Sequence, residues 1–133
     1  MQKLDVVERL FPLVVSGEKT STIRFREQQI HIGPMTYWCE GNSTITVTVW
    51  VNRCNDMPLS EVAEFLGKTE EWHDEAMLDG MREHYSDIQL SDIVQVIEHY
   101  NPKESLPYLA EAGSFQDTDP FPPLAMNDNT TLS

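Results

Sequence analysis

The sequence predicts a small mixed α+β protein whose strands curl into a β-barrel flanked by short helices. Three observations carry that prediction. Residues 20–26 alternate between apolar and polar side chains, as a half-buried strand does. Residues 35–40 and 44–54 alternate on either side of Gly41–Ser43, which reads as a hairpin turn. The apolar runs between these strands have helical spacing and are cut short by Gly or Pro. A chain of 133 residues suits one domain with a real core.

In chain order, Leu4, Val7, Leu10, Phe11 and Val14 recur at helical spacing, and Gly17 is a natural stop. Pro12 does not suit a helix interior, so the helix is expected to begin near Leu10, leaving residues 3–8 extended or separate. In the strand at 20–26, Thr20, Thr22, Arg24 and Arg26 share one face, while Ser21, Ile23 and Phe25 share the other. In the second hairpin arm Ile45, Val47, Val49 and Val51 share a face, opposite Thr46, Thr48 and Trp50. A Trp on the second face suggests a strand half-buried on both sides.

Ser60 is placed to cap a short helix ending at Gly67. A second helix is expected from Thr69, with Glu70 and Glu71 in its first turn and Trp72, Met77, Met81 and Tyr85 as its buried stripe. Residues 92–100 alternate again and close the sheet. Beyond Asn101 the composition changes, because five of the eight prolines lie there. Leu106, Tyr108, Leu109 and Phe115 suit a docked extension over 102–116, with a short helix near 105–112. Residues 117–133 read as a disordered acidic tail.

The net charge of −13 is uneven. Residues 1–50 balance five basic against five acidic groups, whereas residues 51–100 hold three basic and twelve acidic ones. Polyanion binding needs clustered cations that displace counterions. Only Lys19, Arg24 and Arg26 could form such a cluster, so DNA and long RNA are poor ligands and a neutral nucleoside or short RNA suits the charge better. No apolar stretch is long enough for a membrane span, and the start lacks the pattern of a signal peptide. Cys39 and Cys54 have neither CxxC nor ligand spacing, as expected of reduced thiols in a cytoplasmic protein. His73 and His84 lack the H-E-x-x-H arrangement. No metal or cofactor is implied.

The stretch Gly17–Arg24, GEKTSTIR, gathers the groups that could do chemistry. A Lys acts as a base near neutral pH only when burial or a neighbouring cation lowers its pKa, and Arg24 and Arg26 could supply that cation for Lys19. The Thr22 hydroxyl, three residues on, becomes a nucleophile only beside a base. The alternative is structural: Lys19 and Thr20 close the helix end and Thr22 is an ordinary strand residue. Tyr37, Trp38 and Trp50 are core residues by default, although one could stack on a pyrimidine.

An apolar helix followed by G-x-K-T-x-T-I-R resembles the signature of the ASCH domain, of the PUA-like superfamily. Gly33 stands where that family opens its next strand, with Pro34 in place of its Asp. MTYWCEG followed by TITVTVWVNRC resembles its barrel hairpin, and MPLSEVAEFLG its crossover helix. The match spans roughly residues 4–100, placing an ASCH/PUA-like domain at 1–101. The small bacterial ASCH enzymes that hydrolyse N4-acetylcytidine are the most similar subgroup. They use a Lys, a Thr and a Glu, and lack an acidic tail.

Carried over residue by residue, the resemblance implies Lys19 as base, Thr22 as nucleophile and Glu70 as the residue that orients Lys19 or activates water. Glu71 is the reserve; counting forward from Leu59 and back from Tyr85 both lead to Glu70. Arg24, Arg26 and Thr20 are the substrate-binding candidates. Three functions follow: an amidohydrolase acting on N4-acetylcytidine or a related nucleoside, a non-catalytic RNA- or modified-base-binding module, and a protein-interaction domain using the tail.

Overall fold

The computed structural model describes residues 1–116, and the tail expected over 117–133 lies outside them. Five strands form one curled sheet, a half-barrel, in the order β1-β3-β4-β5-β2. They are β1 (Gln2–Val6), β2 (Ser21–Arg24), β3 (Gly33–Cys39), β4 (Asn42–Pro58) and β5 (Ile93–His99). Four helices flank them: α1 (Phe11–Ser16), α2 (Leu59–Phe65), α3 (Asp74–Arg82) and α4 (Pro102–Gln116).

The first segment is the extended one: Leu4 and Val6 turn inward from β1, which pairs in parallel with β3. Pro12 is tolerated because α1 starts at Phe11, so the ring sits in the first turn where no helical N–H bond is lost. Gly17 ends α1 with a φ of 90°, and a Cβ there would come within 3.0 Å of the Asn101 side chain. Only Gly meets both demands.

The β3–β4 hairpin pairs as expected, with Val47, Val49 and Val51 fully buried, but its turn is Glu40–Gly41, and Asn42 already pairs with Cys39. Gly41 rather than Asn42 supplies the positive φ. Ile45, expected on the face of the valines, is exposed, because the ladder is irregular there: Trp38 pairs with Thr46 but Cys39 already with Asn42, so residues 43–45 fall outside the regular alternation.

Three helix boundaries differ from the sequence reading. α2 begins at Leu59 rather than after a Ser60 cap, and Ser60 instead donates its backbone N–H to the Leu90 carbonyl. α3 begins at Asp74, so Asp74 and Glu75 occupy its first turn and Glu70 and Glu71 lie in the preceding turn. α4 runs from Pro102, because Asn101 Oδ1 accepts the Glu104 backbone N–H at 2.7 Å as a cap. Ser105 and Tyr108 dock α4 on β4: Ser105 Oγ accepts the Trp50 N–H, and the Tyr108 ring stacks on both Trp50 and Tyr100. No helix among the described residues is long and apolar enough to cross a membrane.

Candidate active site

One cleft of about 580 Å³ opens between β2 and α3. Its polar wall is laid down by the chain leaving α1. The left-handed turn at Gly17 and the bond from Lys19 N–H to the Leu13 carbonyl reverse the backbone, which brings the Lys19 side chain into the cleft. Its Nζ donates to the Ser21 carbonyl at 2.6 Å. Burial, and then the charge of Arg24, lower its pKa to about 8. Alternation along β2 turns Thr22 and Arg24 toward the same space, and Thr22 is buried.

Arg24 also fastens the open side of the half-barrel. β1 and β2 are the two edge strands and share no ladder. Arg24 Nη2 donates to the Asp5 carbonyl of β1 at 2.6 Å, and Nη1 to Asp5 Oδ1 at 3.0 Å. A second bond from Nη1 reaches Glu27 Oε1 at 3.4 Å, and Nε donates to Thr22 Oγ1 at 2.9 Å.

Beneath this wall Tyr37 and His99 form a buried pair. His99 Nδ1 is 2.8 Å from the Tyr100 carbonyl, which can only accept, so that nitrogen carries the proton. Nε2 is left to accept the Tyr37 hydroxyl at 2.8 Å. Burial is the main cause holding the His99 pKa down to about 4, with Lys19 adding to it against the Tyr100 bond. Burial pushes the Tyr37 phenol upward.

The opposite wall is apolar and helical: Trp72, Ala76, Met77, Gly80 and Met81 line it, with Tyr85 at its end. Tyr85 donates to Glu27 across the cleft, and burial together with that carboxylate pushes its phenol to about 12. Arg9 and Glu83 make a second bridge at 2.9 Å.

The structure thus brings Lys19, Thr22 and Arg24 into one cleft and leaves four other sequence candidates outside its lining. Thr20 precedes β2 and is exposed, with its carbonyl taken by the His99 N–H. Arg26 leaves the expected face because β2 ends at Arg24 and Arg26 adopts a φ of 58°. It lies over the Phe25 ring, exposed to solvent, and faces Asp87. Glu70 and Glu71 are exposed on the turn before α3 and do not line the cleft. Its carboxylates are Asp5, Glu27, Glu40 and Glu83. Sequence reasoning missed Asp5 because it lies in a segment with no chemical motif, and missed Glu27 because the strand was drawn too long. Trp72 and Tyr85, expected only as core, are half-buried and are the aromatic groups of the lining, whereas Tyr37, Trp38 and Trp50 are not part of it.

A curled five-stranded half-barrel with a crossover helix and a cleft at the end of α1 defines an ASCH-like, PUA-like fold. Solved structures agree. A tyrosine-to-phenylalanine variant of ZmASCH from Zymomonas mobilis superposes with a TM-score of 0.56 at 9% identity, covering 74% of this chain and 67% of that one. A serine-to-alanine variant of the same protein gives 0.55 at 9% identity, covering 73% and 65%. Protein EF3133 of Enterococcus faecalis, of the DUF984 family, gives 0.54 at 15% identity, covering 75% and 79%. The chain spans about two thirds of the length of the Zymomonas proteins it matches. No protein-family model and no curated protein matches the sequence.

Proposed function

We propose that this protein is an amidohydrolase that removes the acyl group from N4-acetylcytidine or a related modified nucleoside. One observation carries the reading: a half-buried Lys with a pKa near 8 lines the same cleft wall as a buried Thr hydroxyl. At neutral to mildly basic pH a useful fraction of Lys19 is the free amine. It takes the Thr22 hydroxyl proton as Oγ1 attacks the acyl carbonyl. The C–N bond then breaks, the Lys19 ammonium returns the proton to the departing amine, and the acyl group remains on Thr22 as an ester. Water attacks that ester with Lys19 taking its proton, the acyl–oxygen bond breaks, and Lys19 passes the proton to Thr22 Oγ1, releasing the carboxylic acid.

The charge inventory supports an uncharged substrate. Arg24 is bound by Asp5 and Glu27, and Arg9 by Glu83, which leaves Lys19 as the lining's cation outside any ion pair among the described residues. A phosphate would meet a wall already neutralised. The apolar α3 wall, with Trp72 and Tyr85, offers faces on which a pyrimidine can stack. A carboxylate that activates the hydrolytic water fits the mechanism. Glu70 is exposed and outside the lining, whereas Glu40 lines the cleft and makes no ion pair among the described residues. Comparing Glu70→Gln with Glu40→Gln separates the two.

The test is incubation of purified protein with N4-acetylcytidine followed by chromatography for cytidine. Release that disappears in Lys19→Arg supports the reading. Binding without release moves the assignment to a modified-base-binding module using the same cleft.

A further inference from the structure

Arg24 is the most heavily committed side chain of the cleft. Four of its hydrogen bonds run to three residues: Nε to Thr22 Oγ1, Nη1 to Asp5 Oδ1 and Glu27 Oε1, and Nη2 to the Asp5 carbonyl. Its side chain is only 11% exposed. A guanidinium has five N–H donors and no acceptor. Four of the five are used, so a substrate carbonyl, ribose or phosphate that took more than the remaining Nη2 N–H would have to displace Asp5 or Glu27, each a carboxylate already in charge-assisted contact. The arrangement does not suit the substrate clamp that strand alternation alone suggests.

It does suit control of Thr22. A hydroxyl has one donor and two acceptor lone pairs. Arg24 Nε occupies one lone pair and can accept nothing, so the Thr22 proton is directed away from Arg24. The strand pairs Thr22 with Ile97 and Arg24 with Gln95, which fixes the backbone on the β5 side. On the other side, between β2 and β1, no backbone ladder exists, and Arg24 provides the connection there. Resting on the amidohydrolase reading, we infer that Arg24 is a positioning residue, anchored across the β1–β2 seam by Asp5 and Glu27, which holds the Thr22 hydroxyl in the orientation for attack. Its charge, close enough to disfavour protonation of Lys19, acts in the same direction.

Two measurements on the full chain test this, with melting temperature as the folding control. In steady-state kinetics with N4-acetylcytidine, Arg24→Lys should lower kcat by about a hundredfold, the scale of a misplaced reacting group, while KM changes by less than about threefold. Asp5→Asn, which keeps the backbone carbonyl and the side-chain shape, should give a smaller loss of kcat, again with KM held. A KM that rises while kcat stays would make Arg24 a substrate clamp and overturn the inference. The second measurement needs no turnover: three-bond NMR couplings that report the Thr22 χ1 angle. One rotamer in the wild type that becomes averaged in Arg24→Lys and in Asp5→Asn supports positioning. An unchanged rotamer in both folded variants overturns it. A wild type that releases no cytidine but shows the locked and released rotamers sinks the amidohydrolase reading and leaves the positioning role standing.

Discussion

The two walls of the cleft are built on opposite principles. The β2 wall is polar and fixed: Thr22 is buried, and Arg24 is tied to two strands and a loop. The α3 wall is apolar and loosely fastened. Met77 and Met81 anchor it in the core, while across the cleft it is held by Tyr85 to Glu27 and by an exposed Arg9–Glu83 pair. An exposed pair of that kind is worth about 0–1 kcal/mol. Chemistry that depends on sub-ångström placement belongs on the first wall, and accommodation of a substrate's shape on the second. If the comparison is right, substitutions on β2 should affect the rate and substitutions on α3 the fit.

The largest effect is expected at Lys19 and Thr22. Each of Lys19→Arg and Thr22→Ala should lower turnover by at least about a thousandfold, and the double variant should add little, because members of one catalytic unit are not additive. A guanidinium cannot serve as the base, since it keeps its proton at any accessible pH. For the wild type, kcat/KM should climb with pH and level off above about 8 as Lys19 loses its proton. Release that is flat from pH 6 to 9 would remove Lys19 from the role of base.

Below that wall, His99 offers a stability test. Its folded pKa of about 4 lies under the ordinary 6.5, so between those values the unfolded chain binds the extra proton. Stability should therefore rise from pH 4 to 6.5 on this account and level off above. The span is on the order of 3 kcal/mol. Protonation would also abolish the acceptor that holds the Tyr37 hydroxyl. Urea unfolding at pH 4.5 and 7 should show a shallower pH dependence for His99→Gln than for the wild type. Equal slopes would mean that His99 does not titrate as its burial implies.

The half of the site that lies on β2 was legible in the sequence because strand alternation and the Gly17 stop are local signals. Thr22, Arg24 and Lys19 could be placed together from spacing alone. Arg26 could not be excluded, because the end of β2 is set by Arg26 entering the left-handed region, and an Arg announces no such turn. The seam was not legible either. Asp5 meets Arg24 through β1 pairing in parallel with β3, a contact between residues 19 apart that no local pattern encodes. On α3 the expected core stripe holds at Met77 and Met81, which are buried, but the sequence did not show that the same face, with half-buried Trp72 and Tyr85, also lines a cleft. Periodicity reports which face is apolar, not whether protein or open space lies against it. The start of α3 was misplaced for a related reason, since Glu70, Glu71, Asp74 and Glu75 are all plausible first-turn acids.

The smallest expected effect tests the α3 wall most directly. Gly80 lies inside α3, where Gly costs roughly 0.5–1 kcal/mol relative to Ala. A Cβ at this position would meet nothing within 4 Å, and its φ is not in the positive range, so neither packing nor backbone geometry calls for Gly there. The residue does line the cleft. Gly80→Ala should therefore stabilise the fold by about 0.5–1 kcal/mol, raising the melting temperature by roughly 2–5 °C, with kcat unchanged. Gly80→Leu adds a side chain that the cleft must accommodate. It should raise KM for N4-acetylcytidine several-fold while leaving kcat within about twofold, the signature of lost fit rather than lost chemistry. A fall in kcat with KM unchanged would place α3 in the catalytic machinery, and the division between the two walls would have to be abandoned.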